Sequence, residues 1–294
     1  MMHPTIEQLL AGGTVILDGA WGTELQQRGL EIGACPDLWN VSQPERVEEV
    51  ARAYVDAGSQ IILTNTFGAN RFVLKRHQAA DRVAEINRRG VEISRRAAAD
   101  RAKVFASMGP TGVMLMMGEV SEVELELAFA EQAAALAAAG ADGLVIETMS
   151  DPAEARVAVI AAKATGLPVV ACMVFDSGRN HDRTMMGTTP EQAAKTLLDA
   201  GADLLGANCG QGVAGFVAIC KRLAEAGGRP VWIKANAGLP EMVDGRTAYA
   251  QSPAQFAAYL PALIEAGAGF VGGCCGTSPA FIRAVRQELG SVQK

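Results

Sequence analysis

The 294-residue chain is poor in histidine, in aromatic residues and in long apolar runs: it holds three His, and Phe, Trp and Tyr together make 5% of it. Three scattered histidines exclude a histidine-rich metal site, so a metal, if one binds, must be held through sulfur. There is no excess of basic charge either, with 26 Lys+Arg against 32 Asp+Glu. A net charge of -6 offers no basic face to nucleic acid or to anionic lipid. The longest apolar stretches, such as Ala133 to Ala139, are short and alanine-dominated, far below the roughly 20 residues that span a bilayer. Met1 to Pro4 lack the basic region and apolar run of a secretory signal, and a cytoplasmic location is expected. Six cysteines are too sparse for a disulfide scaffold; in a reducing compartment they are thiols free for packing, metal or catalysis.

What is abundant is a repeat of short β-branched runs and alanine-rich helical stretches. The strand candidates are Thr14 to Ala20, Ile61 to Phe67, Val104 to Gly109, Gly143 to Met149, Val169 to Phe175, Leu204 to Cys209, Val231 to Ala237 and Gly269 to Cys274. Most are almost wholly apolar rather than alternating, the habit of parallel strands buried on both faces. Helical patterns follow at Glu45 to Ala57, Ala79 to Asp100, Glu124 to Ala139, Pro152 to Thr165, Pro190 to Ala200, Ala214 to Ala226, Pro253 to Ala266 and Pro279 to Leu289. Several end on one phrase, as in Asp56-Ala57-Gly58 and Ala200-Gly201-Ala202, where the glycine supplies a left-handed cap before the next strand. Eight such units, about 37 residues each, predict a (β/α)8 TIM barrel. No Pro/Ser linker divides the chain, so residues 1–294 read as a single domain. Neither G-x-G-x-x-G nor GxxxxGK[ST] occurs in a suitable place, which argues against a nucleotide fold.

In such barrels the chemistry sits at the C-terminal ends of the strands. Those ends carry Asp18, Thr64 to Gly68, Gly109 to Gly112, Glu147-Thr148, Asn208-Cys209, Asn236 and Gly272 to Gly276. Cys209, Cys274 and Cys275 therefore share one mouth, whereas Cys35, Cys172 and Cys220 do not, the last two reading as small buried apolar residues. Three thiolates make a tetrahedral zinc site with one position open, as catalytic zinc requires. The alternative is that Cys274-Cys275 is a packing pair in a glycine-rich turn. Zinc on three thiolates carries a formal charge of -1, a poor activator of water but a good holder of a fourth, nucleophilic thiolate, which predicts sulfur alkylation. Glu147, with Asp18 opposite, would fix the ammonium of an amino-acid thiol; otherwise these carboxylates cap helices or pair with arginine.

The motifs Asp18-Gly19-Ala20-Trp21-Gly22-Thr23, Leu63 to Gly68, Met108 to Gly112, Ile146-Glu147-Thr148, Gly206-Ala207-Asn208-Cys209, Asn236 to Pro240 and Gly272 to Thr277 resemble, in order, those of the zinc-dependent homocysteine S-methyltransferases. The resemblance implies a (β/α)8 barrel whose Zn2+ is held by Cys209, Cys274 and Cys275. It implies that Asp18 and Glu147 bind the homocysteine ammonium, beside Gly19, with backbone around Thr66 and Phe67 near the carboxylate. It further implies that Asn236 takes the zinc when homocysteine is absent. Pro36 to Asn40, Phe175-Asp176, Arg183 to Gly187 and Gly206 to Gly210 look most like bacterial betaine-homocysteine methyltransferases, which convert L-homocysteine and glycine betaine to methionine and dimethylglycine. Trp39 corresponds to an aromatic residue of the betaine pocket, although it would equally pack its loop against the barrel. Tyrosines beside that pocket in animal relatives correspond here to Gly68 and Thr148, which keeps S-methylmethionine open as donor.

The chain also resembles the homocysteine barrel of cobalamin-dependent methionine synthase. A cobalamin module would carry D-x-H-x-x-G, and none of the three histidines fits, Lys75 preceding His77 by two residues and Arg179 preceding His181. Delivery of the methyl group by a separate corrinoid protein stays an alternative. Oligomeric state, a homo-oligomer included, is not legible in the sequence. Ser177 to Asp182 and Glu241 to Tyr249 are the segments placed to close over the mouth.

Overall fold

A computed structural model of the chain describes residues 2–243 and 246–292. Its eight parallel strands are β1 (Val15–Ile16), β2 (Ile61–Ile62), β3 (Lys103–Met108), β4 (Gly143–Met149), β5 (Val169–Met173), β6 (Leu204–Gly212), β7 (Val231–Asn236) and β10 (Ala268–Gly273). They pair in the order β1-β10-β7-β6-β5-β4-β3-β2. Gln60 joins the two ends of that order: its N–H donates to the Ile16 carbonyl at 2.7 Å and its side-chain oxygen accepts the Ile16 N–H at 2.9 Å. The expected (β/α)8 barrel is the fold. Between β7 and β10 the segment expected to close over the mouth holds an antiparallel hairpin, β8 (Pro240–Val243) with β9 (Arg246–Tyr249).

Chain chemistry accounts for the alternation. Ser121, Thr189 and Ser252 open helices with reciprocal capping boxes, and Gly58, Gly140, Gly201 and Gly267 sit at φ between 91° and 105°, closing helices in the left-handed region as the repeated phrase predicts. The helix read over Pro253 to Ala266 is instead two, Pro253–Ala257 and Leu260–Glu265. Pro261 lacks the N–H that a continuous helix would need. A helix over Pro4–Leu10, not evident from the strand–helix repeat, places Ile6 in the interior of the barrel. That interior also holds Leu17, Leu63, Phe105, Val145, Cys172, Trp232 and Phe270, with Trp232 stacked on Phe105 and Phe270 at 5.9 and 5.3 Å. Each stack adds about 1 kcal/mol beyond area burial and fills the barrel below its mouth. No described helix is long and apolar enough to cross a membrane.

Candidate active site

The strand ends converge on a cavity of about 400 Å³. Cys209 Sγ, Cys274 Sγ and Cys275 Sγ lie within 4.8 Å of one another at its wall, Cys209 and Cys275 at 3.9 Å. Metal–sulfur bonds of about 2.3 Å in a tetrahedron need sulfurs about 3.8 Å apart, so the triad is already close to ligating geometry. The three thiols share protons. S–H donation from Cys274 and Cys275 drives the Cys209 pKa far down, while the same exchange and burial push that of Cys274 up. Asn236 turns toward Cys209, and its Oδ1 is buried with no hydrogen-bond partner. The side chain that faces Cys209 thus carries an orphaned carbonyl oxygen, a group that a bound ion could satisfy. The residues present therefore suit a tetrahedral metal.

Backbone irregularity aims these groups. Cys209 and Thr148 adopt φ of 60° and 62°, each where the strand register shifts, between Asn208 and Gly212 on β6 and between Ile146 and Met149 on β4. Such bulges turn a side chain out of the pleat, and a non-glycine residue in the left-handed region there costs about 1 to 3 kcal/mol. Asn208 ties Thr148 to the thiols: its Oδ1 accepts the Thr148 N–H at 2.8 Å, its Nδ2 donates to Thr148 Oγ1 at 2.7 Å, and Nδ2 faces Cys274 Sγ at 3.9 Å. The Cys274-Cys275 turn is held by Cys274 N–H to the Ala235 carbonyl at 2.7 Å and by Thr277 Oγ1 to the Cys274 carbonyl at 2.7 Å. Gly276, at φ 78°, leaves room for the Tyr249 ring, where a Cβ would stand 2.2 Å away. Tyr249 thus comes from the hairpin to Cys275, and burial and that sulfur push its hydroxyl pKa up. Asp244 and Gly245 of the segment expected to close over the mouth lie outside the described residues.

Below the thiols lies a charged layer that the sequence reading found only in part. Asp18 is wholly buried; its Oδ1 takes a short hydrogen bond from Lys234 Nζ, and its Oδ2 accepts Trp21 Nε1 at 2.8 Å and the Leu63 N–H at 2.7 Å. Lys234 is hidden in the sequence by the apolar residues of its strand. Desolvation works against its charge, but Asp18 and Glu147 outweigh it and hold the ammonium protonated. Glu147 lines the cavity, accepts Ser107 Oγ at 2.5 Å, and has its pKa raised by burial, only partly offset by Lys234.

The other expected residues fall unevenly. Phe67 lines the cavity with Trp21. Gly19 packs so tightly that a Cβ would meet Thr277 Oγ1 and Tyr54 at 2.8 Å. Thr66 is buried, donating to the Ser107 carbonyl at 2.7 Å. Trp39 is not among the cavity-lining residues, and the Arg46 guanidinium covers its ring at 5.4 Å. Cys35, set apart from the mouth in the sequence reading, does line the cavity, because the loop after the first strand folds back over it. Cys172 and Cys220 are buried as expected.

A sequence profile described as homocysteine S-methyltransferase matches residues 15–289, and the chain belongs to that family. It is 31% identical over 308 residues to methionine synthase of Mycobacterium tuberculosis, covering 97% of this chain but 25% of that protein. The chain thus spans about a quarter of the length of that relative. It is 28% identical over 306 residues to betaine–homocysteine S-methyltransferase 1 of Mus musculus, covering 97% of this chain and 74% of the other. Among solved structures, the metallated homocysteine methyltransferase MmuM of Escherichia coli superposes with a TM-score of 0.79 at 26% identity, over 97% of this chain and 99% of that one.

Proposed function

We propose that the protein transfers a methyl group from an onium donor to the sulfur of L-homocysteine, with zinc held by Cys209, Cys274 and Cys275. The observation that carries the reading is the joining of three near-ligating sulfurs and a buried carboxylate, Glu147, in one cavity. Zinc there supplies one thing: it keeps the acceptor sulfur deprotonated at neutral pH, where a free thiol with pKa about 8.5 is mostly protonated. The chain's own groups do the rest. Glu147 accepts the homocysteine ammonium, and the Lys234–Asp18 pair beneath it fixes the charged layer. Trp21 and Phe67 offer aromatic faces to the donor cation, in place of Trp39.

The new bond joins the homocysteine sulfur to the methyl carbon as the carbon's bond to the donor nitrogen or sulfur breaks. The bonding pair leaves on that atom, so no general acid is required, and the thiol proton has already gone to solvent. Thiolate and cation lose their charges together, which a cavity shielded from water favours. Alignment of sulfur, methyl and leaving atom is the protein's main contribution. Glycine betaine, giving methionine and dimethylglycine, and S-methylmethionine both meet this chemistry. The likeness to part of methionine synthase favours a second reading, a methyl-accepting subunit served by a separate corrinoid protein.

The test is a panel of betaine, S-methylmethionine and methylated corrinoid, each with homocysteine and zinc-loaded protein. Methionine from an onium donor alone supports the first reading; product only with the corrinoid supports the second. Cys274→Ala is expected to lose zinc and activity together while the barrel persists, and full turnover by a metal-free form would refute the zinc assignment.

A further inference from the structure

Two carboxylates line the cavity with no cation at ion-pair distance among the described residues, Glu147 and Asp37. Asp37 is 3% exposed, on the short turn Pro36–Leu38. Its Oδ1 accepts the Gly68 N–H at 2.9 Å and its Oδ2 faces Cys35 Sγ at 3.5 Å. A Cβ at Gly68 would stand 2.8 Å from Oδ2, so the glycine is what lets the carboxylate lie against this backbone. Burial pushes its pKa up to about 6, which leaves it an anion at neutral pH held without a counter-charge. A buried charge kept in that state is costly unless a ligand compensates it.

The reaction proposed above brings two positive groups into this cavity, the homocysteine ammonium and the onium centre. The two carboxylates stand in different parts of it. Glu147 adjoins Thr148, which Asn208 ties to Cys274, so Glu147 stands on the thiol side. Asp37 interacts instead with Cys35 and Gly68, on the wall shared with Phe67, Val73 and His77. We propose that Asp37 accepts the positive group of the methyl donor and so restricts donors to cations, while Glu147 takes the acceptor's ammonium. The assignment rests on the onium reading.

The experiment uses zinc-loaded Asp37→Asn, which keeps an oxygen for the Gly68 N–H, and Asp37→Ser as a second variant, each shown by thermal unfolding to be folded. Three quantities are measured: KM for the best onium donor, KM for homocysteine, and the rate with methyl iodide, an uncharged donor. Binding of tetramethylammonium is followed by calorimetry. The expected result is a rise of tenfold or more in onium KM, with homocysteine KM and the methyl iodide rate unchanged and tetramethylammonium binding lost. Unchanged onium KM, or an equal loss with methyl iodide, overturns the proposal. If the wild type uses no onium donor, the functional reading fails by itself. Tetramethylammonium then decides for Asp37: binding that disappears in Asp37→Asn supports it, and absent or unaltered binding refutes it.

Discussion

Replacing Asp37 by asparagine makes a stability prediction whose sign follows from burial alone. The carboxyl is buried and titrates at about 6 against an ordinary value of 3.8. Below pH 3.8 folded and unfolded chains both carry the proton, and the side chain brings no ionisation cost. Between 3.8 and 6 the unfolded chain ionises while the folded one keeps its proton, so the wild type loses stability as pH rises, and above 6 the loss is complete. The difference of 2.2 pH units, at 1.36 kcal/mol each, is about 3 kcal/mol. The asparagine variant has no such dependence. Urea unfolding of both proteins at intervals from pH 4 to pH 8 is expected to show the variant gaining about 2 to 3 kcal/mol on the wild type across that range. Comparing the two cancels every other titrating group, and hydrogen bonds altered by the amide shift the curve without changing its slope. A flat difference, or a wild type that gains on the variant as pH rises, would refute the account of Asp37 as an uncompensated buried anion.

Lys234→Met removes one partner of a pair buried to within 2% and leaves the Asp18 charge to Trp21 and Leu63 alone. A loss of about 3 to 5 kcal/mol in urea unfolding is expected at pH 8; an unchanged midpoint would show that the pair carries no net charge compensation. Glu147→Gln should raise KM for homocysteine about 10- to 150-fold, the worth of a charge-assisted hydrogen bond, with kcat little changed. A thiol acceptor without an ammonium should be indifferent to that substitution, and equal losses for both acceptors would remove Glu147 from ammonium binding.

The barrel was legible because its cause is repetitive. A parallel strand buried on both faces needs an unbroken apolar run, and each return helix needs a stop, so both recur at every unit; β4, read over Gly143 to Met149, has those bounds. The hairpin β8–β9 broke no such pattern to announce itself, since Pro240 to Tyr249 mixes polar and apolar residues without strict alternation. The break at Pro261 was readable in principle, from a proline placed eight residues into an alanine-rich helix.

The site was legible where a residue type is scarce and was hidden where geometry decides. Cysteines at strand ends stand out because few other positions carry them, but nothing in Asn208 or Thr148 as letters says that bulged strands will join the two beside Cys274. Lys234 gave a usable signal, a lone cation inside Val231 to Ala237, and its meaning follows from its neighbours: a buried lysine requires a buried carboxylate, and Asp18 is the one that pairs with it. That pairing changes how the other acids are read. Once Asp18 is matched by Lys234, the cavity's unmatched negative charge belongs to Glu147 and Asp37, and a reaction between an ammonium-bearing thiol and a cationic donor supplies one positive group for each.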